Sequence, residues 1–166
     1  MTTLPELSWI AEARKHIGQK EIKGAKHNPF IVGMWSVIGA GWFNDDETPW
    51  CGAFVGYVTK TSGLGVAKNA ARAKAWNDYG VKLNAPAYGC IVVFERDGGG
   101  HVGFVVGVDQ NGNLMVLGGN QNDMIKISPF SKTRVLGYRW PSKYPAAGRF
   151  KLPVLTSDGR LSTNEA

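Results

Sequence analysis

The sequence predicts an α+β fold, in which N-terminal helices pack on a mostly antiparallel sheet of about five strands. Apolar residues recur at helical spacing through the first half of the chain, and from Val81 the spacing changes to that of strands. Asn111-Gly112 lies in a short polar link between two apolar runs, which is typical of a hairpin turn. Helices followed by strands favour this class over alternating α/β units.

Four segments carry the helical spacing. Asn28-Pro29 and Asn69 suit helix N-termini, as do Thr48 as a cap and Pro49 at a first helical position. Gly80 follows the last segment at a position typical of a helix end. The predicted helices cover residues 7–17, a segment beginning at 28, residues 51–60 and residues 70–79.

The second half of the chain reads as strands separated by glycine-rich and polar links. Continuous apolar runs indicate strands that are buried in the sheet. The predicted strands are 88–95, 101–109, 113–118, 124–128 and 133–139.

Composition indicates one domain with a substantial core. The chain has 166 residues with 43% hydrophobic residues and 11% aromatic residues, which excludes a mostly disordered protein. We predict a single domain over 1–150 and a polar C-terminal extension over 151–166, whose last stretch, 156–166, is expected to be mobile or packed on another chain. The net charge of +6 favours anionic partners, but no nucleic-acid motif accompanies it.

The chain shows no signal for export or membrane insertion. The N-terminus lacks a basic segment followed by a long apolar core, and no apolar run reaches the roughly 20 residues of a membrane span. We therefore expect synthesis in a cytoplasm. The two cysteines do not make a disulfide framework, and a reduced state is expected.

Cys51 is the candidate nucleophile. It falls in the first turn of a predicted helix, where unpaired N–H groups and the helix dipole favour a thiolate. The alternative is a buried cysteine that acts as a small hydrophobe. Cys90 lies where a strand begins and is expected to be structural.

His101 is the candidate base. It stands between a glycine-rich turn and a predicted strand, where a rigid sheet would hold its ring. The next strand ends in Gly118-Gly119-Asn120-Gln121, and an amide there could accept the imidazole N–H and fix its tautomer. We take Asn120 as that residue. Cys51, His101 and Asn120 then follow one another in the order nucleophile, base, orienting amide.

These motifs resemble the NlpC/P60 and CHAP peptidoglycan hydrolases, which have a papain-like fold, and come closest to a phage-associated branch. The resemblance runs from about residue 7 to residue 141. One departure is Gly89-Cys90, where the family pattern usually has Gly-Asp. The motifs that carry it are Asp46-Glu47-Thr48-Pro49-Trp50-Cys51, Ile91-Val92-Val93-Phe94, Gly100-His101-Val102-Gly103-Phe104 and Leu117-Gly118-Gly119-Asn120-Gln121.

The resemblance implies a phage endolysin-type hydrolase, without a cofactor, that cleaves an amide of bacterial peptidoglycan through a thioester. It would be made without a signal peptide and reach the wall through a separate export or lysis system. Whether it is an N-acetylmuramoyl-L-alanine amidase or an endopeptidase stays open. The alternative is a non-catalytic wall-binding or particle module with the same fold.

Three further residues are candidate substrate contacts: Trp50 as a cleft wall, and Asn69 and Arg72 at the start of the fourth helix. Core packing and an ordinary helix cap are the alternatives. No spacing typical of a zinc site exists. Calcium near Asp45, Asp46 and Glu47 is the sharper metal hypothesis, against the simpler reading that acids stabilise the first helical turn.

Overall fold

A computed structural model of the protein describes residues 4–24, 26–43 and 49–165. The described residues form three α-helices, α1 (Ser8–Arg14), α2 (Pro29–Val37) and α3 (Cys51–Thr61), and two 3₁₀ helices, Ala73–Asp78 and Lys132–Arg134. None of these helices is long and apolar enough to cross a bilayer. The strands are β1 (Val81–Leu83), β2 (Ile91–Arg96), β3 (Gly99–Asp109), β4 (Leu114–Gln121), β5 (Met124–Phe130), β6 (Val135–Trp140) and β7 (Val154–Leu155).

The strands form one sheet in the order β1-β6-β2-β3-β4-β5, and all neighbours in this order are antiparallel. β7 pairs with β3 in parallel. The predicted α+β class is confirmed. All five predicted strands are present as β2 to β6, and the sheet gains β1 and β7, which are too short to carry a periodic signal.

Helix α3 is the central helix of the core and packs against β3 and β4, with α1 and α2 on its other side. Neighbouring segments can approach α3 closely because two of its residues are glycines, which have no side chain. A Cβ at Gly52 would lie 2.2 Å from the carbonyl oxygen of Ala70, and a Cβ at Gly56 would lie 2.6 Å from the Ile38 side chain. The sequence therefore places the N-terminus of α3, and Cys51 with it, deep against the sheet.

Strands β3 and β4 form a regular hairpin at one end and part at the other. The Asp109 carboxylate accepts hydrogen bonds from the backbone N–H groups of Asn111 and Asn113, and Gly112 adopts φ 82°, as the Asn-Gly signal predicts. The ladder pairs Phe104 with Leu117 and is not continued toward residues 101 and 120. The start of α3 fits against this opening.

Several predicted boundaries are wrong. The first helix ends at Arg14 rather than at residue 17, and the fourth is the 3₁₀ helix Ala73–Asp78, which begins after Arg72. Asn69 does not cap it, because Asn69 has a left-handed φ of 60°. The residue before α3 is Trp50, so Pro49 lies outside the helix; Thr48 lies outside the described residues.

The C-terminal segment makes several contacts with its own chain. β7 joins β3, the backbone N–H of Ser162 donates to the carbonyl of Pro129, and the backbone N–H of Asn122 donates to that of Asn164. Glu165 is almost completely buried. Hydrogen bonds and the ion pair between Glu165 and Arg134 therefore hold this polar segment, and Leu155 adds an apolar contact with the core.

Candidate active site

Cys51 is the first residue of α3 and is only 3% exposed. Burial raises the pKa of its thiol, while hydrogen bonds from the backbone N–H groups of Val102 and Gly52 and the charge of Arg96 lower it. The net direction is upward, so the resting sulfur is a thiol. The contact between the sulfur and the Val102 N–H places Cys51 beside β3, and Val102 is the residue that follows His101.

His101 is the third residue of β3 and is fully buried. Its ring lies parallel to that of Phe130, at 5.1 Å between centroids, and Phe94 stacks at 6.2 Å. Burial is the largest cause that lowers its pKa to about 4. The resting imidazole is therefore neutral.

Gln121 fixes the tautomer of His101. The Gln121 amide nitrogen donates to the carbonyl oxygens of Val116 and Lys126, at 3.1 and 2.9 Å, which orients the amide. Its oxygen Oε1 then faces His101 Nε2 at 3.0 Å and can only accept, so Nε2 carries the proton. Nδ1 is left with its lone pair, buried and without a hydrogen-bond partner among the described residues.

The orienting contact predicted for Asn120 is thus made by its neighbour. Asn120 is fully buried, but its amide nitrogen donates to the main-chain oxygen of Glu165 at 2.7 Å. It adopts a left-handed φ of 58°, which disturbs the regular alternation of β4 just before Gln121. An amide from this segment does orient the imidazole, and it is Gln121.

Two adjacent glycines separate the imidazole from the start of α3. A Cβ at Gly118 would lie 2.2 Å from Gln121 Oε1 and 3.3 Å from His101 Nε2. A Cβ at Gly119 would instead lie 2.7 Å from the Trp50 ring. β4 therefore passes between them, with the imidazole–amide pair against one side and Trp50 against the other. In the resting structure the Cys51 sulfur accepts a hydrogen bond from the backbone N–H of Val102, the residue after His101. His101 Nδ1 makes no hydrogen bond to the sulfur.

Cys51 lines a groove of about 220 Å³ that has a basic rim. Arg72, Lys74 and Arg96 line it, and Lys74 also pairs with Glu95 at 2.9 Å. The turn at residues 98–100 forms the facing wall. Of the three predicted substrate contacts, the structure therefore brings Arg72 to the groove with Cys51.

Trp50 and Asn69 lie elsewhere. The Trp50 side chain is completely buried, and its indole N–H donates to Glu21 at 2.8 Å, so the ring belongs to the core and not to the cleft wall. Asn69 is exposed and lines a separate depression with residues 66–68, 75 and 78–80. Asn69 and Arg72 are joined by a backbone hydrogen bond from the N–H of Arg72 to the carbonyl of Asn69, but the two residues line different depressions.

Metal ligands do not converge within residues 4–24, 26–43 and 49–165, where no group of three or more His, Cys, Asp or Glu side chains could hold an ion. The calcium hypothesis rests on Asp45, Asp46 and Glu47, which lie outside the described residues.

An α+β domain with a cysteine at the start of a helix and a histidine on the antiparallel sheet has the arrangement of the papain-like fold. Comparison with protein families then gives a narrower result: residues 43–120 match the CHAP domain. This match includes Cys51 and His101, ends at Asn120, and supports a CHAP-like peptidoglycan hydrolase family for this part of the chain. No curated protein matches the sequence.

Proposed function

We propose that this protein is a cysteine hydrolase that cleaves an amide bond of bacterial peptidoglycan. The observation that carries the proposal is the fixed tautomer of His101. Gln121 holds the proton on Nε2 and leaves the Nδ1 lone pair free for the thiol proton of Cys51. The CHAP match supports peptidoglycan as the substrate class.

The chemistry follows from these groups. His101 Nδ1 takes the proton of Cys51, and the sulfur attacks the amide carbonyl to form a tetrahedral intermediate. The imidazolium returns that proton to the leaving amine, which leaves a thioester, and water then releases the acyl group with His101 again as base. The backbone N–H of Cys51 is the proposed oxyanion donor. Donors of this kind contribute on the order of 3 kcal/mol.

Substrate binding must also bring the two reacting side chains together. Proton transfer needs Sγ and Nδ1 within hydrogen-bond reach, a contact that often tightens only when substrate is bound. The groove beside Cys51 is open to an extended peptide along Arg72 and Arg96. We propose that occupation of this groove shifts the N-terminus of α3 relative to β3.

The biological setting we propose is a phage endolysin, or a wall-degrading part of a particle, that reaches the wall through a separate export or lysis system. The net charge of +6 favours attraction to an anionic envelope. The bond is either that between the sugar lactyl group and L-Ala, as in an amidase, or one within the stem or cross-link, as in an endopeptidase.

The test uses purified protein and isolated sacculi, with Cys51→Ala as the inactive variant. Cys90→Ala is the matched control, because Cys90 is also buried but lies outside the groove. We expect the wild type and Cys90→Ala to release fragments and Cys51→Ala to release none. Mass spectrometry then assigns the bond, since a new N-terminal L-Ala identifies an amidase. Equal release by all three proteins would reject the proposed nucleophile.

One observation favours a second candidate function, a non-catalytic wall-binding module. Burial pushes the pKa of Cys51 up and that of His101 down to about 4, so the resting pair is neutral and poorly reactive. Alkylation separates the two functions. Burial raises the pKa of Cys90 to about 12, which makes it an internal reference. Alkylation of Cys51 that is faster than that of Cys90, and faster still with peptidoglycan fragments, supports the hydrolase; two equally inert thiols support the module.

A further inference from the structure

The C-terminal segment delivers a buried carboxylate to the surroundings of His101. The Glu165 side chain is 0% exposed and forms an ion pair with Arg134, which is itself 24% exposed. The Ser162 hydroxyl donates to the other carboxylate oxygen at 3.0 Å. The main-chain oxygen of Glu165 accepts from Asn120 at 2.7 Å. Three contacts thus hold Glu165 in place, two at its carboxylate and one at its main-chain oxygen.

Arg134 is the reason why this carboxylate matters to the site. Its guanidinium lies over the rings of Phe130 and Phe94, at 5.5 and 5.7 Å from their centroids. Phe130 in turn stacks on the His101 imidazole. A cation in this position opposes the positive charge that His101 must carry after it has taken the thiol proton.

We propose that Glu165 is a positioning residue of the proposed hydrolase, whose buried carboxylate balances Arg134 beside the His101 ring stack and so favours the imidazolium formed during catalysis. This inference rests on the proposed function. Glu165 touches neither the groove nor the reacting atoms, and acts on His101 through space and through Arg134.

The charged and polar groups around His101 come from five elements. Arg96 at the end of β2 and Arg134 in the 3₁₀ helix before β6 disfavour its protonated form, and Glu165 favours it. Gln121 on β4 accepts from Nε2, and the Cys51 thiol lies beside the neighbouring Val102. Glu165 and Arg134 therefore act on the imidazole in opposite directions, and the carboxylate offsets the guanidinium.

The test removes each charge of the ion pair and follows His101 itself. Titration of the imidazole by NMR in Glu165→Gln, Arg134→Gln and the double variant gives the pKa without any substrate. We expect the pKa to fall by about half a pH unit in Glu165→Gln, to rise in Arg134→Gln, and in the double variant to return close to that of the wild type, because both opposing charges are gone. Ser162→Ala is the control that removes a hydrogen bond and keeps both charges.

The kinetic readout is the acid limb of kcat/KM. It is expected to shift in the same directions, with a loss of up to about threefold in kcat for Glu165→Gln, because a less basic imidazole takes the thiol proton less readily. A purely structural role predicts loss of activity in both single variants without opposite titration shifts, and that result would overturn the inference. If one single variant does not fold, the other still decides, since an unshifted His101 pKa there contradicts the inference. Opposite NMR shifts in a protein inert on sacculi would reject the proposed function but not the electrostatic role.

Discussion

Replacement of Gln121 by methionine is the sharpest test of the site geometry. Methionine keeps the volume of the side chain but has neither the amide oxygen nor the amide nitrogen. His101 Nε2 then loses its acceptor, and the carbonyl oxygens of Val116 and Lys126 lose their donor. Three groups at a buried position become unpaired at once.

The magnitude follows from those three contacts. A hydrogen bond to a charged group contributes about 2 kcal/mol, and the Nε2 contact becomes one when His101 is an imidazolium, so kcat/KM should fall about thirtyfold. The free neutral ring also exchanges its tautomers, which places a proton on Nδ1 and removes the base. Stability should fall by about 3 kcal/mol, at about 1 kcal/mol for each unpaired group.

The assay is kcat/KM on soluble muropeptides, measured at a temperature where every variant is folded. The matched control is Asn120→Gly, because glycine tolerates the φ of 58° and only the amide contact to Glu165 is lost. We expect this control to stay within about threefold of the wild type. If Asn120→Gly loses as much activity as Gln121→Met, or if Gln121→Met is fully active, the tautomer argument is refuted.

Two further predictions concern the same region. Gly118→Ala places a Cβ 2.2 Å from Gln121 Oε1 and should lower kcat/KM by displacing the amide. Gly119→Ala places a Cβ 2.7 Å from the Trp50 ring and should lower the Tm. Its cost is about 1–3 kcal/mol in the free energy of unfolding, with a smaller effect on kcat/KM. The folded pKa of about 4 for His101 lies below the ordinary 6.5, so the unfolded chain binds the additional proton between these values and stability falls as the pH drops through that window. Urea unfolding should show a loss of about 3 kcal/mol from this group, absent in His101→Gln; an equal acid loss in both proteins contradicts the burial of a neutral imidazole.

The sequence predicts the fold class and the framework of the site because both depend on local patterns. Helical spacing marks α3, a long apolar run marks β3, and an Asn-Gly turn joins β3 to β4. Cys51 and His101 stand at the ends of such elements, where a chemical role can be read from position. These are signals within one element, and packing does not alter them.

The third residue of the site could not be read in this way. Strict alternation along β4 allows either Asn120 or Gln121 to face His101. Which of them does so depends on an irregularity of the strand, where Asn120 adopts a left-handed φ. That irregularity is stabilised by the distant main-chain oxygen of Glu165. A pairing across 45 residues leaves no periodic trace in the sequence.

Arg134 and Glu165 were missed for a related reason. Each is a charged residue in a polar stretch, and composition assigns such residues to the surface. Burial becomes tolerable only because the guanidinium, the carboxylate and Ser162 satisfy one another. Neither residue alone carries a sequence signal for burial. The pairing is visible only in the folded structure, where the C-terminal segment meets the segment before β6.

The arrangement of charges suggests how a neutral resting pair can support ion-pair chemistry. Arg96 lowers the pKa of both Cys51 and His101, so it helps the thiolate and hinders the imidazolium. Glu165 favours the imidazolium from the other side of the ring stack. Proton transfer from sulfur to nitrogen therefore creates a negative charge on the sulfur, which Arg96 stabilises, and a positive charge on the ring, which Glu165 stabilises against Arg96 and Arg134. The desolvation that keeps the resting pair neutral also strengthens these two interactions, because charges attract more strongly where water is excluded.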